Sequence, residues 1–432
     1  MSDAFEEVLD RHRAGEPVGI TSVCSANPLV LRAASQEAVA GGGVLLVEAT
    51  SNQVDQFGGY TGMLPADFRD LVHATTDGAG LPRERVVLGG DHLGPNTWRG
   101  LPADEAMQRA DDLVAAYVEA GYTKIHLDCS MACADDRLPL TDEVVAERAA
   151  RLARVAEQAA VRASGRSDVR YVIGTEVPVP GGASEVIDQL TPTSPAAAQA
   201  TLDAHEEAFG RAGVPQAWDR VAALVVQPGV EFDAVRVVDY DRSRASRLSQ
   251  LVDDRPLVFE AHSTDYQTPA ALTALVEDHW AVLKVGPGLT FALRESLFAL
   301  AQVEAQLVGE HECSALPDVV DEVMVRDPKW WKGYYEGDEQ EQRVARRYSY
   351  SDRMRYYWPD PAIQAAVNRL VQNLRRNPVP LPLLSAHLPE QYDRVRTGQL
   401  GTDPEALALD RVRGLLRTYQ TACTPPTSRR PS

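Results

Sequence analysis

The sequence predicts a (β/α)8 barrel (a TIM barrel) followed by a helical C-terminal extension. Three observations lead to it. Eight short apolar runs alternate with eight stretches of helical spacing up to residue 308, which is the rhythm and length of such a barrel. The runs are apolar along their length, as in Val86-Val87-Leu88 and Val221-Ala222-Ala223-Leu224-Val225, so they suit parallel strands covered on both faces. No GxGxxG follows the first run, which argues against the doubly wound open sheet that shares this alternation.

Taken in order, residues 3–14 have the spacing of a short amphipathic helix. Gly19–Ser25 reads as the first strand and Leu29–Ala40 as its helix. Val44–Glu48 is followed by a polar loop and the helix Ala66–Thr76. Val86–Gly90 precedes Ala103–Ala120, whose apolar residues fall at helical spacing. Lys124–Asp128 leads to the Ala- and Arg-rich helix Thr141–Ala163. There Thr141 suits the N-cap, and Asp142 and Glu143 place negative charge in the first turn, where the helix dipole favours it. Arg170–Glu176 precedes Ser194–Gly213, which a glycine closes. Val221–Gln227 is the sixth strand. Leu257–Ala261 is the seventh, flanked by helices near 241–252 and 268–277. Ala281–Val285 leads into Thr290–Leu307.

From about residue 309 strand alternation stops, and helical spacing continues in Leu316–Val325, Gln340–Arg347, Pro361–Arg376 and Pro404–Tyr419. Aromatic residues concentrate between Trp330 and Trp358, a density that suits packing against another surface. The chain is thus divided into a barrel (1–308), a helical extension (309–422) and a tail rich in proline and small polar residues (423–432) that is expected to be disordered.

The 432 residues carry a net charge of −19, which argues against nucleic acid as a partner, because phosphate backbones demand basic surface. A local basic pocket for a small phosphate is compatible with that charge. No apolar run approaches the roughly 20 residues of a membrane span. The N-terminal stretch MSDAFEEVLDRHRAGEP has neither the basic nor the apolar region of a signal peptide. Five scattered cysteines suit a reducing compartment, so a cytoplasmic location is expected. Cys129 and Cys133 have no second pair at zinc-binding spacing and read as two buried thiols.

Catalytic groups of such barrels come from several strand C-termini and converge at one mouth. The strand ends here carry Glu48, then Ser51, Asn52 and Gln53; Asp91 and His92; His126 and Asp128; Glu176; Gln227; Glu260, His262 and Ser263; and Lys284. Acids and histidines gathered in this way are the ingredients of a divalent metal site, and imidazole with carboxylate suits zinc, manganese or cobalt. The candidate ligands are His92, Glu176, Glu260 and His262. His126 lies inside its strand and reads as a hydrogen-bonded core histidine. Asn52, Gln53, Gln227, Ser263 and Lys284 are candidates for substrate contacts. The turn Gly286-Pro287-Gly288 precedes a helix, so its N–H groups either cradle a phosphate or form a plain glycine turn. Arg353, in a basic run of the extension, either closes over that phosphate or lies on a solvated face.

Long colinear segments resemble the GatZ/KbaZ-type proteins: VEATSNQVDQFGGYTGM (47–63), GGDHLGPN (89–96), KIHLDCSM (124–131), GTEVPVPGG (174–182), FEAHSTDYQ (259–267), LKVGPGLTFALRE (283–295) and YSYSDRMRYYW (348–358). The resemblance implies a metal-dependent barrel related to class II aldolases. It also implies one of two roles. One is a 4-epimerase interconverting D-tagatose 6-phosphate and D-fructose 6-phosphate. The other is a non-catalytic subunit stabilising the catalytic chain of a class II D-tagatose-1,6-bisphosphate aldolase. The kinase activity once attached to the family has no GxxxxGK[ST] loop to support it.

In the active aldolases an Asp-His pair after the third strand supplies a proton-transferring acid and a metal ligand, which Asp91 and His92 match. Their sixth-strand histidine is absent from Ala223–Gly229, and their seventh-strand Phe-His-Gly-Gly-Ser appears as Phe259-Glu260-Ala261-His262-Ser263. Either the metal is lost, as a non-catalytic subunit allows, or Glu176, Glu260 and His262 rebuild its site; the acids and histidines that remain at these ends favour a rebuilt site around one divalent ion. Asp91 is expected as one acid–base group, with Glu48 or Asp128 as the other. The substrate is expected to be a phosphorylated ketohexose, and association with further copies of the chain is left open.

Overall fold

The computed structural model describes residues 4–174, 190–253 and 255–424. Eight parallel strands close a barrel in chain order: β1 (Ile20–Val23), β2 (Leu45–Thr50), β3 (Val86–Leu93), β4 (Lys124–Leu127), β5 (Arg170–Gly174), β6 (Val221–Val225), β7 (Val258–Ala261) and β8 (Val282–Val285), with β8 pairing back onto β1. Successive strand residues point to opposite faces. Ile20, Leu46, Val87, Val172, Val225, Val258 and Val282 therefore form one interior cluster, which Phe5 and Leu9 of the Ala4–Arg13 helix join. Their strand neighbours Val47, Leu88, Ile125, Ile173, Leu224, Phe259 and Leu283 pack outward into the larger core shared with the helices.

Following the inward period along the strands gives a second, polar layer: Ser22, Glu48, Lys124, Glu260 and Lys284, all buried. Glu48 is in register with Gly89, and Gly89 with Lys124. A Cβ at position 89 would stand 2.7 Å from Cγ of Glu48, so glycine makes the room through which Glu48 reaches Lys124. Strand β3 runs to Leu93, three residues beyond the predicted end. Thr50 pairs with Asp91, and Leu93 pairs with Leu127 across a register shift. Asp91 and His92 thus belong to the strand itself. The fifth strand is described to Gly174, and the predicted ligand Glu176 lies outside the described residues.

The last barrel helix, Pro287–Leu307, begins earlier than its spacing indicated, with Pro287 in the first turn where proline is tolerated. A short antiparallel ribbon, Glu231–Phe232 with Val237–Val238, follows β6. At two residues per strand it carries too little pattern to read from sequence. The extension adds helices at Leu316–Arg326, Glu339–Tyr348, Pro361–Arg376, Leu381–His387, Pro389–Arg396 and Pro404–Ala422. The last of these packs against the Pro28–Gly41, Pro269–Glu277 and Pro287–Leu307 helices. Tyr419 Oη donates to the Thr264 carbonyl at 2.7 Å, and Gly19 N–H donates to the Cys423 carbonyl at 3.0 Å. All five cysteines are free thiols, with Cys129 and Cys133 buried. No helix among the described residues is long and apolar enough to cross a membrane.

One buried ion pair ties the extension to the barrel. Asp352 accepts from Arg294 Nε at 2.8 Å and from Thr290 Oγ1 at 2.6 Å, and both charged side chains are sealed from solvent. Asp352→Asn keeps the shape, tolerates the left-handed backbone at this residue (φ 41°) and leaves the Arg294 charge unpaired. The expected loss is about 3–5 kcal/mol of unfolding free energy. Urea denaturation measures it, and an unchanged midpoint would show that this pair does not secure the extension.

Candidate functional site

Three imidazoles stand at the upper end of the barrel interior. His92 comes from β3, His126 from β4, and His262 follows the last residue of β7. Their ring centroids are 5.0, 4.9 and 5.3 Å apart, nearly an equilateral triangle. Each ring has one nitrogen held by a fixed acceptor. His92 Nδ1 is 2.7 Å from Asp128 Oδ2, His262 Nε2 is 3.0 Å from Glu260 Oε1, and His126 Nε2 is 3.0 Å from the Gly174 carbonyl. Asp91 completes the group. Its Oδ1 lies 3.0 Å from His126 Nδ1 and meets the Lys284 ammonium. One ligand atom from each of Asp91, His92, His126 and His262 lies within 4.8 Å of the others. His92, in the cluster, and Ser263, next to His262, hold left-handed backbones (φ 51° and 50°), conformations that carry strain in residues other than glycine.

The donor set fits a divalent metal. Imidazoles braced at the far nitrogen by a carboxylate or carbonyl are the outer-shell pattern of metal-binding histidines. Burial and Lys284 push His262 down to about 3, which keeps it in the neutral form a ligand needs. His126 differs: burial opposes its protonated form, but Asp91 outweighs burial and raises it, so this ring must release a proton to coordinate. Burial alone would raise Asp91 and Glu260. His92 and Lys284 hold Asp91 well below the ordinary carboxylate range, and Lys124 and Lys284 do the same for Glu260. Four buried carboxylates, Glu48, Asp91, Asp128 and Glu260, face two buried ammoniums, Lys124 and Lys284, an imbalance that a cation relieves.

The structure arranges the predicted residues in two layers. His92, His262 and Asp91 are together as expected. Glu260 stands one step back from the cluster: one oxygen braces His262 and the other is 2.7 Å from Lys124 Nζ. Glu48 is bonded to Lys124 at 2.7 and 2.9 Å and to Ser22 Oγ at 2.5 Å, below the cluster. Asp128 braces His92 and accepts from Ser130 Oγ at 2.7 Å. His126 is buried as expected, yet its ring enters the cluster. The signal was in KIHLD, where Ile125 and Leu127 alternate with Lys124, His126 and Asp128: in a barrel the polar set faces inward, and inward is where the site lies.

Above the cluster opens a cavity of about 480 Å³. Asp91, His92, His262, Ser263, Asp265 and Lys284 line it from the barrel, with Asn52, Gln53 and Gly286. The extension contributes Trp330, Tyr334, Arg353, Arg355 and Tyr356, most of which no local sequence signal placed here. Arg353 is 5% exposed, donates through Nε to the Trp330 carbonyl and lies with its guanidinium 3.2 Å from the centre of the Tyr334 ring. Arg355 donates to Tyr356 Oη at 2.9 Å. Among the described residues neither guanidinium forms an ion pair with a carboxylate. Gln227 does not line the cavity; its Oε1 accepts from the N–H groups of Gly229 and Val230 and fixes that turn. The N–H groups of Gly286 and Gly288 both donate to Asp265 Oδ1, at 2.9 and 2.7 Å, so the turn expected as a phosphate cradle already holds an internal carboxylate. A second cavity of about 470 Å³, between the loop after β1 and the extension, shares Cys24, Gln53, Tyr60, Gly286 and Arg355 with the first and does not reach the imidazoles.

A family model of GatZ/KbaZ-like D-tagatose-1,6-bisphosphate aldolase subunits matches residues 5–424. The chain belongs to this GatZ/KbaZ-like family. It is 48% identical to a probable tagatose 6 phosphate kinase from Sinorhizobium meliloti 1021 of known crystal structure, over 94% of this chain and 100% of that one, with a TM-score of 0.86. It is also similar to the fructose-bisphosphate aldolase of Campylobacter jejuni, at 14% identity over 87% of this chain and 94% of that one, with a TM-score of 0.44. The YdjI aldolase of Escherichia coli K12 matches at 12% identity over 87% and 95% of the two chains, with a TM-score of 0.40. The GatZ/KbaZ-like chain is thus related to tagatose-bisphosphate aldolase subunits and to sugar-phosphate metabolism.

Beside the cavity one acid is held unusually. Glu231 is buried on the short ribbon, accepts from the Phe232 N–H at 2.9 Å and from Ser263, and burial raises it from 4.5 to about 7. The folded chain therefore binds this proton more tightly than the unfolded chain does. The associated stability is complete below the unfolded value and is lost as pH rises to about 7. Glu231→Gln should gain in melting temperature over the parent between about pH 5 and about pH 8. A difference that stays flat across that range would show that the carboxyl is not desolvated.

Proposed function

We propose that this chain is a metal-dependent 4-epimerase that interconverts D-tagatose 6-phosphate and D-fructose 6-phosphate. The observation that carries this reading is a juxtaposition: one cavity has the imidazole–Asp91 cluster at its floor and the unpaired guanidiniums of Arg353 and Arg355 in its wall. A buried charge is costly unless compensated, so guanidiniums without carboxylates favour an anionic ligand. The same cost favours an active site over a non-catalytic role, since perturbed titratable groups in a cleft mark functional sites. His92, His126 and His262, with Asp91, would hold one divalent ion, Zn²⁺, Mn²⁺ or Co²⁺, which when bound would supply Lewis acidity for the ketose carbonyl.

The position of that carbonyl dictates the rest. In a 2-ketose the C2 carbonyl acidifies C3–H and leaves C4–H unactivated, so direct deprotonation at C4 has no stabilised anion. The C4 hydroxyl, however, is β to the carbonyl, which is the arrangement for retro-aldol cleavage. Asp91, kept ionised by Lys284, takes the O4 proton as the C3–C4 bond breaks. An enediolate over C1–C3 and an aldehyde at C4 result. Arg353, with Arg355 beside it, retains the C6 phosphate while the aldehyde presents its other face. The bond re-forms with C4 inverted, and Asp91 returns the proton to the new hydroxyl. Glu48 and Asp128 serve from below: Glu48 holds Lys124, and Asp128 orients His92.

Four outcomes test the proposal. Purified chain incubated alone with fructose 6-phosphate should yield tagatose 6-phosphate. A chelator should abolish turnover, and Mn²⁺, Co²⁺ or Zn²⁺ should restore it. His126→Ala should lose bound metal in elemental analysis as well as activity. Full activity in a metal-free chain would sink the metal assignment, and no turnover by the metal-loaded chain on either sugar would favour a subunit of an aldolase. Epimerisation in D₂O should leave C4 without deuterium by NMR, whereas stoichiometric label at C4 would eliminate carbon–carbon cleavage.

A further inference from the structure

We infer that Asp265 makes this site selective for a ketose bearing a single phosphate, by occupying the place where a second phosphate would bind. The inference rests on the sugar-phosphate reading above. In barrels of this kind, the N–H groups that open the helix after the eighth strand are a habitual phosphate site. Here that site is filled from within. The Gly286 and Gly288 N–H groups converge on one oxygen of Asp265, at 2.9 and 2.7 Å, and Asp265 is 3% exposed. Gly288 fits closely against it: a Cβ there would stand 3.0 Å from the same oxygen. A phosphate dianion at this turn would have to displace the carboxylate from both amides and then lie beside its charge.

The cations without a described carboxylate partner, Arg353 and Arg355, lie elsewhere in the cavity wall. Arg353 comes from the extension, is nearly fully buried and spends Nε on the Trp330 carbonyl, while no described carboxylate pairs with it. The cavity therefore offers one anion site at Arg353 and Arg355 and, at Asp265, an acceptor that suits a hydroxyl donor. A ketohexose 6-phosphate carries both groups, a hydroxyl on C1 and a phosphate on C6. A 1,6-bisphosphate would set a dianion against Asp265.

Equilibrium binding of inorganic phosphate, fructose 6-phosphate and fructose 1,6-bisphosphate to the metal-loaded full chain tests this. The parent should bind one inorganic phosphate per chain, and Arg353→Gln should bind it at least about 10-fold more weakly. Asp265→Gly frees the two amides and should bind a second. Asp265→Asn keeps the hydrogen-bond acceptor and the shape but removes the charge, so it guards against a folding defect in the glycine variant. It should shift the affinity ratio toward the bisphosphate by at least about 10-fold. Two phosphates bound by the parent, or an unchanged ratio in Asp265→Asn, would overturn the inference. Phosphate counts as expected in a chain that does not epimerise fructose 6-phosphate would uphold it while removing the proposed function.

Discussion

Lys124 stands between Glu48 and Glu260 inside a closed barrel, its ammonium 2.7 Å from an oxygen of each, and the layer above depends on it. Ions taken out of water are tolerated only when partners and hydrogen bonds replace the lost hydration. Burial works against the Lys124 charge, but the two carboxylates more than restore it. The benefit passes upward. Glu260, fixed by Lys124, braces His262, while Lys284 meets Asp91, which touches His126. The imidazoles of His92 and His126 are thus set by strands, and that of His262 one residue past a strand end, all three braced by interior charges satisfied pair by pair.

Much of this could be read from the chain before folding. The strands announce themselves as apolar runs, and Asp91, His92 and His262 follow from polar residues at strand ends. What the strand-end pattern leaves open has one physical origin, the depth of a side chain along its strand. Glu260 and His262 face the same way two residues apart, so one lies below the other; a list of strand-end acids and histidines cannot tell which is the brace and which the ligand. His126 reads as structural because it sits inside its strand, yet its ring joins the Asp91, His92 and His262 cluster in the barrel interior. Tertiary pairing was beyond reach altogether. Asp265 reaches the Gly286 N–H across 21 residues, and no local pattern marks that bond.

The aromatic run of the extension shows the same division. Its density signalled packing, and Trp331, Tyr357 and Trp358 do pack into the core. Trp330 and Tyr356, from the same run, instead stack on each other at 4.7 Å and line the cavity. Residues one or two apart in a compact helical segment point in different directions, so composition reveals the contact and not the face. Barrel and extension together build the cavity, with the metal-type donors from one and the guanidiniums from the other.

The helix Pro404–Ala422 covers the first helix of the barrel, and its end is bonded to the start of β1. Arg413 and Arg417 of that helix reach Glu37 of the first helix at 3.0 and 3.4 Å. The first strand and helix of the barrel are therefore completed by residues 376 and 380 positions further along the chain. Until that helix docks, the flank it covers stays open, and no local contact replaces a pairing of such long range. Closing the first unit of the barrel is thus a step of high contact order, the kind that slows folding and leaves apolar surface exposed meanwhile.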